Sequence, residues 1–246
     1  MRAVLVSRYP RVDTNAWKKR VADDLVAAGF DVAVLYSRSA LVDQALAGVR
    51  EDGLGVVRRY VALRRPDDRT AASSQTLAGW AAERGWPLAY CRRLADSVET
   101  LRILQPDLLV LLGSDIVPAA LLDIPRRGAI NPHYGLLPAF RGMNVTEWSI
   151  YCRAPVGVTV HLVDAGVDTG PILLREEIAL APGETFATLR HKHQEVAGRL
   201  LVRAAIDIRD GTARPLPQDP EQGRQYYRMH PALRRAATAR LREKAG

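Results

Sequence analysis

The sequence predicts an α/β fold: a Rossmann-like, mostly parallel sheet with helices on both faces, followed by a short C-terminal extension. Two observations predict it. Short apolar runs rich in β-branched residues alternate with helical patterns along most of the chain, which is the order expected of a doubly wound sheet. The run Leu108–Leu112 (LLVLL) is the most apolar of these, so it is expected at the centre of the sheet, covered on both faces.

The alternation starts at the first residues. Strands are predicted at Arg2–Ser7, Asp31–Tyr36 and Gly55–Tyr60, and a polar, exposed loop follows at residues 64–74. The intervening helices are predicted at Asn15–Ala28 and Ser37–Val49. Asp13 or Thr14 can cap the first helix and Gly29 can end it, because short polar side chains satisfy the free N–H groups of a helix start and glycine readily adopts the left-handed conformation of a helix end.

The middle of the chain continues the pattern with a helix at Gln75–Arg84, a strand at Pro87–Tyr90 and a helix at Ser97–Leu104, which ends before Pro106. From Gly157 apolar and more polar residues alternate, and this strand is expected to pair with Ile172–Ile178 around an intervening turn. A long helix, Thr185–Arg209, ends at Gly211. Residues 1–211 are therefore predicted to form one catalytic domain. Residues 212–246 form the extension, with a short basic helix that starts at Pro231.

Composition bears on compartment, metals and partners. No apolar run approaches the ~18 residues of a membrane span, and the N-terminal run is too short for a signal peptide, so a cytoplasmic protein is expected. Cys91 and Cys152 have no metal-binding spacing, and no metal is expected. The net charge is +8, and residues 213–246 contain eight Arg or Lys against three Asp or Glu. Aromatic residues do not alternate with the final arginines, so a nucleic-acid partner is not indicated.

The chemistry is expected between Gly128 and Leu173. Asn131 and His133 follow a short apolar run and are two residues apart, so on an extended backbone their side chains share one face. Asp168 lies in Val-Asp-Thr-Gly-Pro, a sequence that favours a tight turn able to direct the carboxylate back at this pair. An amide donor, an imidazole and a carboxylate suffice for acyl transfer to an amine. Asp164 is a competing carboxylate, and Asp168 could instead serve the turn alone.

These motifs resemble the N10-formyltetrahydrofolate-dependent formyltransferases, which act on glycinamide ribonucleotide, methionyl-tRNA or amino sugars. The matching residues, in order, are Asn131, His133, Leu136, Leu137, Pro138, Arg141 and Gly142, then Gly157, Val158, Thr159 and His161, then Asp168 and Gly170. The resemblance implies that Asn131, His133 and Asp168 are the catalytic trio. It also implies a structural or supporting role for His161.

The resemblance extends to the binding sites. It implies a folate pocket formed by Gly113, Ser114, Asp115 and Ile116 and closed by the loop that contains Asp164 and Gly166. Arg141 could grip an anionic group of the amine substrate or make a structural ion pair. Gln218, Gln222, Gly223 and Tyr226 are similar to a short motif that follows the catalytic core in sugar formyltransferases, where we expect the tyrosines of this chain to pack rather than touch ligand.

The expected function is transfer of a formyl group from N10-formyltetrahydrofolate, as co-substrate, to an amine or hydroxylamine of a small molecule such as an amino sugar or natural-product intermediate. The first strand–helix turn, SRYPRVDTN, lacks the Gly-Ser-rich phosphate cradle of the glycinamide ribonucleotide enzymes. Two alternatives stay open: an enzyme similar to methionyl-tRNA formyltransferase that uses the basic tail, and an inactive folate-binding protein. The sequence leaves the acceptor undetermined and is compatible with a homodimer.

Overall fold

The fold was analysed in a computed structural model that describes residues 1–8, 16–37 and 77–244. Several predicted features lie outside the described residues. They are the Asp13 or Thr14 cap, most of the helix Ser37–Val49, the strand Gly55–Tyr60 and the polar loop at 64–74.

The strands of the central sheet are β1 (Arg2–Ser7), β2 (Asp31–Ser37), β3 (Leu88–Cys91), β4 (Leu108–Leu111), β5 (Ala129–His133), β7 (Gly157–Leu162) and β8 (Ile172–Glu177), while β6 (Phe140–Gly142) lies outside it. The spatial order is β3-β2-β1-β4-β5-β7-β8. The pairs from β3 through β5 are parallel, and β7 and β8 continue the sheet as an antiparallel hairpin. The predicted central strand and the predicted hairpin are both confirmed.

Helices cover both faces of this sheet, as the sequence predicts. One face packs against α1 (Ala16–Ala27), α2 (Leu77–Glu83) and α6 (Phe186–Arg209). The other packs against a 3₁₀ turn at Leu94–Ser97, α3 (Val98–Leu104) and α4 (Ala119–Leu122). β4 shows why its sequence is continuously apolar, because Leu108 and Val110 face the first layer while Leu109 and Leu111 face the second.

The long helix α6 begins where the sequence predicts. The Thr185 hydroxyl accepts a hydrogen bond from the Thr188 backbone N–H and the Thr188 hydroxyl accepts one from the Thr185 N–H, which satisfies two donors at the helix start. The helix ends at Arg209, and Gly211 follows with a φ of 72°. None of the helices among the described residues is long and apolar enough to cross a membrane.

The C-terminal extension contains β9 (Arg224–Tyr226) and α7 (Pro231–Lys244). β9 pairs in parallel with β6. α7 packs on the short helix α5 (Val145–Tyr151), and Ala237 and Leu241 are buried beside Ile150. The extension is therefore bound to the segment that follows β5. The sequence reasoning did not predict α4, α5, β6 or β9, because elements of three to seven residues have too few positions to show a period.

Candidate active site

Strand pairing brings polar residues of the two motifs face to face. In the register of β5 with β7, Asn131 lies opposite His161 and His133 lies opposite Thr159. The Asn131 Nδ2 atom is 3.2 Å from His161 Nε2. His161 Nδ1 is 2.7 Å from the Leu162 carbonyl oxygen, which can only accept, so in the neutral ring Nδ1 carries the proton and Nε2 accepts from Asn131; a ring protonated on both nitrogens would instead direct its Nε2 proton at Asp168. His161 thus orients the Asn131 amide.

The turn between β7 and β8 directs Asp168 back at these residues. Asp168 has a φ of 54°, and its Oδ2 atom accepts a hydrogen bond of 2.9 Å from the Gly142 backbone N–H. The same oxygen is 3.3 Å from His133 Nδ1, and Oδ1 is 3.5 Å from His161 Nε2. Asn131, His133, His161 and Asp168 therefore form one connected cluster.

Asp164, the competing carboxylate, makes hydrogen bonds within the turn and not with the histidines. Its Oδ1 atom accepts hydrogen bonds from the Gly166 backbone N–H at 3.0 Å and from the Thr169 hydroxyl at 2.6 Å. A side chain at Gly166 would meet the Thr169 hydroxyl, because a Cβ atom there would lie 2.0 Å from it. These contacts fold the turn, and they distinguish Asp164 from Asp168, whose carboxylate reaches two histidines.

The two principal titratable groups are both perturbed. Burial favours the protonated form of Asp168, but contacts with His161, His133 and the Gly142 amide outweigh it and lower the pKa of Asp168 to about 2. Burial lowers the pKa of His133, although Asp168 and the Phe140 carbonyl act in the opposite direction. The carboxylate is therefore ionised at neutral pH, beside an imidazole whose charged form is disfavoured by its surroundings.

The hydrogen bonds of His133 identify the nitrogen that exchanges a proton. Its ring is 6% exposed, and Nε2 is 2.7 Å from the Phe140 carbonyl oxygen. Because that oxygen is only an acceptor, Nε2 keeps its proton in either charge state. The proton that is gained or lost is consequently the one on Nδ1, which faces Asp168. This pairing can move a proton near neutral pH.

A cavity of about 280 Å³ adjoins His133 on the side of α5 and α6. Asn144 and Arg190 line this cavity and also line a wider cavity of about 1110 Å³. The residues that line the wider cavity include four arginines and a histidine: Arg190, Arg228, His230, Arg234 and Arg235. Arg234 also lies 3.3 Å from the buried Glu147 carboxylate. The wider cavity is therefore strongly cationic, and Arg190 is the arginine that it shares with the cavity beside His133.

The residues predicted to hold folate follow β4, the strand beside β5. Gly113 has a φ of 83° and its carbonyl accepts from the Arg8 N–H, while the Asp115 carboxylate pairs with the Arg8 guanidinium at 3.1 Å. The Ser114 hydroxyl donates to the Asp115 carbonyl, and Ile116 is 79% exposed. An exposed apolar side chain at the carboxyl end of parallel strands suits a flat ring ligand. The folate role of these residues stays a prediction.

Arg141 is placed differently from the residues that line the cavities. Its Nη2 atom donates to the Gly223 carbonyl of the extension at 3.3 Å, and it is in neither cavity lining described above. Sequence reasoning found the trio but not the contributions of the Gly142 N–H, the Phe140 carbonyl or the α7 arginines. The residue types do not show which backbone N–H and carbonyl groups face a site. The sequence of a basic helix likewise does not show which surface of the protein the helix packs against.

No three His, Cys, Asp or Glu side chains within residues 1–8, 16–37 and 77–244 converge as a metal site requires.

Comparison with known proteins adds an independent line of evidence. Residues 68–205, more than half of the chain, match the formyl transferase family. A methionyl-tRNA formyltransferase from Trichlorobacter lovleyi is 37% identical over 132 residues, and one from Burkholderia cenocepacia is 35% identical over 196 residues. These alignments cover 53% and 74% of this chain, but only 42% and 59% of the relatives. The chain thus spans less than two thirds of the length of these relatives.

Solved structures share the fold. A 4-N formyltransferase from Francisella tularensis superposes with a TM-score of 0.61 at 17% identity, over 99% of this chain and 87% of that one. A glycinamide ribonucleotide transformylase from Symbiobacterium toebii gives 0.61 at 21% identity, over 89% and 94%. At these identities the likeness concerns the architecture.

Proposed function

The chain belongs to the formyl transferase family, and on that premise we propose that it transfers a formyl group from N10-formyltetrahydrofolate to an amine or hydroxylamine of a small, anionic molecule. One observation carries the proposal: the Asp168 carboxylate lies 3.3 Å from His133 Nδ1, in a cluster that also holds the Asn131 amide. This cluster provides an oxyanion donor and a proton path at one place, which acyl transfer to nitrogen requires.

In the proposed reaction the amine attacks the formyl carbon as a free base. The bond from that carbon to the folate nitrogen then breaks, and the proton lost by the amine is returned to the leaving nitrogen. Asn131 has two N–H groups on its amide: one donates to His161, and the other donates to the oxygen that becomes negative. A donor of this kind typically contributes a factor of 10² to 10³ in rate.

Asp168 attracts the positive charge that develops on the attacking nitrogen, and its low pKa keeps it ionised for this role. His133, through Nδ1, holds the proton in transit between Asp168 and the leaving nitrogen. No group of the cluster is an activated Ser or Cys nucleophile, so the transfer is direct within a ternary complex.

The two cavities support an acceptor with a negative charge. The smaller one, beside His133, has room for the amine-bearing part of a small molecule, and the wider one has a volume typical of sites for drug-sized ligands. Arginines bind phosphate and carboxylate groups in a bidentate manner. A nucleotide-linked amino sugar would place its phosphates among the arginines and its amine near His133.

The direct test is turnover with N10-formyltetrahydrofolate and a panel of amines, which includes nucleotide-linked amino sugars and their neutral sugar counterparts. We expect tetrahydrofolate release coupled to an acceptor heavier by one formyl group, for the anionic acceptors only. Equal rates with neutral acceptors would contradict the anionic site. Lack of folate binding would contradict the whole proposal.

A second candidate is formylation of an aminoacyl-tRNA. It is favoured by one observation, that the sequence relatives reported above are methionyl-tRNA formyltransferases. A complex with methionyl-tRNA whose affinity falls steeply with salt, together with formylation of that tRNA, would support this candidate over the first.

A further inference from the structure

The segment 216–229 of the extension, here called the strap, runs across both loops that contact His133. At its start, Leu216 and Ile172 exchange two backbone hydrogen bonds of 2.8 Å. Further on, the Met143 N–H donates to the Tyr226 carbonyl at 2.9 Å, beside the pairing of β6 with β9. The strap thus fastens the turn that carries Asp168 and the segment that offers Gly142 and Phe140 to the cluster.

Gln218 makes the strap's contact with the catalytic turn. Its Nε2 atom lies 3.0 Å from the Asp168 carbonyl oxygen and 2.6 Å from the Gly170 carbonyl oxygen. Both oxygens can only accept, so the side chain must present its NH₂ group to them. The two protons of this one group therefore hold two carbonyls on either side of Thr169.

The turn needs such support because its backbone is unusual. A φ of 54° at Asp168 lies in the left-handed region, which is uncommon for residues other than glycine, although Asp and Asn adopt it more readily than most, and which persists where the surroundings fix it. At Gly170 the chain runs so close to β7 that a Cβ atom would lie 1.9 Å from the Leu162 carbonyl. Loss of the Gln218 bonds frees the peptide groups on which the direction of the Asp168 side chain depends.

We propose that Gln218 is a positioning residue, which holds the Asp168 carboxylate against His133 and makes the C-terminal strap a part of the active site. The inference rests on the proposed function in one respect, that Asp168 acts in catalysis. The placement itself concerns only Asp168 and His133, and it can be measured without turnover.

The charged and polar groups that face His133 determine how its pKa responds when Asp168 is displaced. They are the Asp168 carboxylate on the turn, the His161 ring of β7 and the Phe140 carbonyl of β6. Asp168 raises the pKa of His133, and His161 lowers it. Displacement of Asp168 should therefore lower the pKa of His133, whereas general loosening that admits water would raise it by removing the effect of burial.

The experiment compares Gln218→Ala and Gln218→Glu with Gln225→Ala, which removes an exposed glutamine from the same strap. Glutamate keeps the shape of the side chain but turns its polar end into an acceptor that repels both carbonyls. The pKa of His133 is measured by NMR titration of the histidine rings, with a His133→Asn variant to assign the signal. Steady-state kinetics with N10-formyltetrahydrofolate and the accepted amine give kcat and both KM values.

We expect Gln218→Ala to lower the pKa of His133, and both Gln218 variants to reduce kcat about tenfold or more, since misplacement of a catalytic group by ~1 Å can cost a factor of 10². The pKa criterion applies to Gln218→Ala alone, because the carboxylate of Gln218→Glu would itself act to raise the pKa of His133. Both KM values should stay within about threefold of the parent, and Gln225→Ala should match the parent. An unchanged His133 titration in Gln218→Ala would overturn the proposal, as would an equal loss of kcat in Gln225→Ala. If Gln218→Ala does not fold, Gln218→Met fills the same space without a donor and is held to the same criteria. A shifted titration in a protein without activity on any acceptor would refute the proposed function and leave the placement intact.

Discussion

Replacement of Asp168 by asparagine should separate catalysis from folding. Asparagine has nearly the same shape, it tolerates the left-handed conformation that Asp168 adopts, and its amide oxygen can still accept from the Gly142 N–H. The substitution removes the negative charge beside His133 Nδ1, and with it the attraction for the cationic nitrogen of the reaction intermediate. We expect kcat to fall by 10² to 10⁴, the range of general acid–base contributions.

A loss of this size agrees with Coulomb's law. A unit positive charge on the attacking nitrogen ~4 Å from the carboxylate would be attracted to it by ~4 kcal/mol at an effective dielectric constant of about 20. A rate loss of two to four decades corresponds to ~3–5 kcal/mol, so the electrostatic contact is large enough to account for it. The effect on folding is smaller. The pKa of Asp168 is about 2 in the folded protein, against 3.8 for an ordinary aspartate. This difference corresponds to ~2 kcal/mol of folding stability at neutral pH, and Asp168→Asn should lose no more free energy of unfolding than that.

Asp164→Asn is the matched control in the same turn. An asparagine oxygen there can keep the bonds from the Gly166 N–H and the Thr169 hydroxyl, so kcat should change by much less. Turnover, folate affinity and thermal melting are measured for both variants. The assignment of the carboxylate is refuted if Asp168→Asn turns over like the parent while Asp164→Asn is inactive.

Three further predictions follow from the same contacts. The free energy of unfolding should fall as the pH drops from about 4 to about 2, because the folded-state pKa of Asp168 lies below its unfolded value; urea denaturation at several pH values should show a larger loss in the parent than in Asp168→Asn, where other carboxylates with lowered pKa values still contribute. Thr159→Val should lower the free energy of unfolding by ~1–3 kcal/mol, because the buried hydroxyl accepts from the Leu137 N–H and donates to the Gly135 carbonyl; a change below ~0.5 kcal/mol would contradict this. Calorimetric titration with 5-formyltetrahydrofolate should give the same affinity in excess EDTA, whereas loss of binding would indicate a metal.

The sequence predicted the architecture because the relevant signals are local. The five consecutive apolar residues at 108–112 indicate a strand covered on both faces. The alternation of apolar and polar residue types that begins at Gly157 indicates a strand of the antiparallel hairpin. The capping threonine at residue 185 and Gly211 mark the ends of α6 through conformational preferences of single residues. Each of these signals can be read from a few adjacent positions.

The candidate site was predicted in part for the same reason. Asn131 and His133 are two positions apart on one strand, and the turn residues around Asp168 mark a reversal of the chain, so their convergence could be argued without coordinates. The resemblance favoured Asp168 over Asp164, but the turn residues by themselves could not distinguish the two carboxylates, since both occupy the same turn. Which carboxylate reaches the imidazole depends on the hydrogen bonds that Asp164 makes within the turn and on the Gly142 N–H that receives Asp168.

The sequence alone thus determined the sheet, its helical layers and the motif in which we predict the catalytic residues, because strand and helix periods and turn preferences act over a few neighbouring residues. Only the tertiary structure decided that His161 faces Asn131, that arginines from the C-terminal helix line the wider cavity, and that Gln218 donates hydrogen bonds to two carbonyls in the turn of Asp168. These contacts join segments 30 to 50 residues apart or more, and they depend on strand register and on the packing of whole elements, which residue types at nearby positions do not encode.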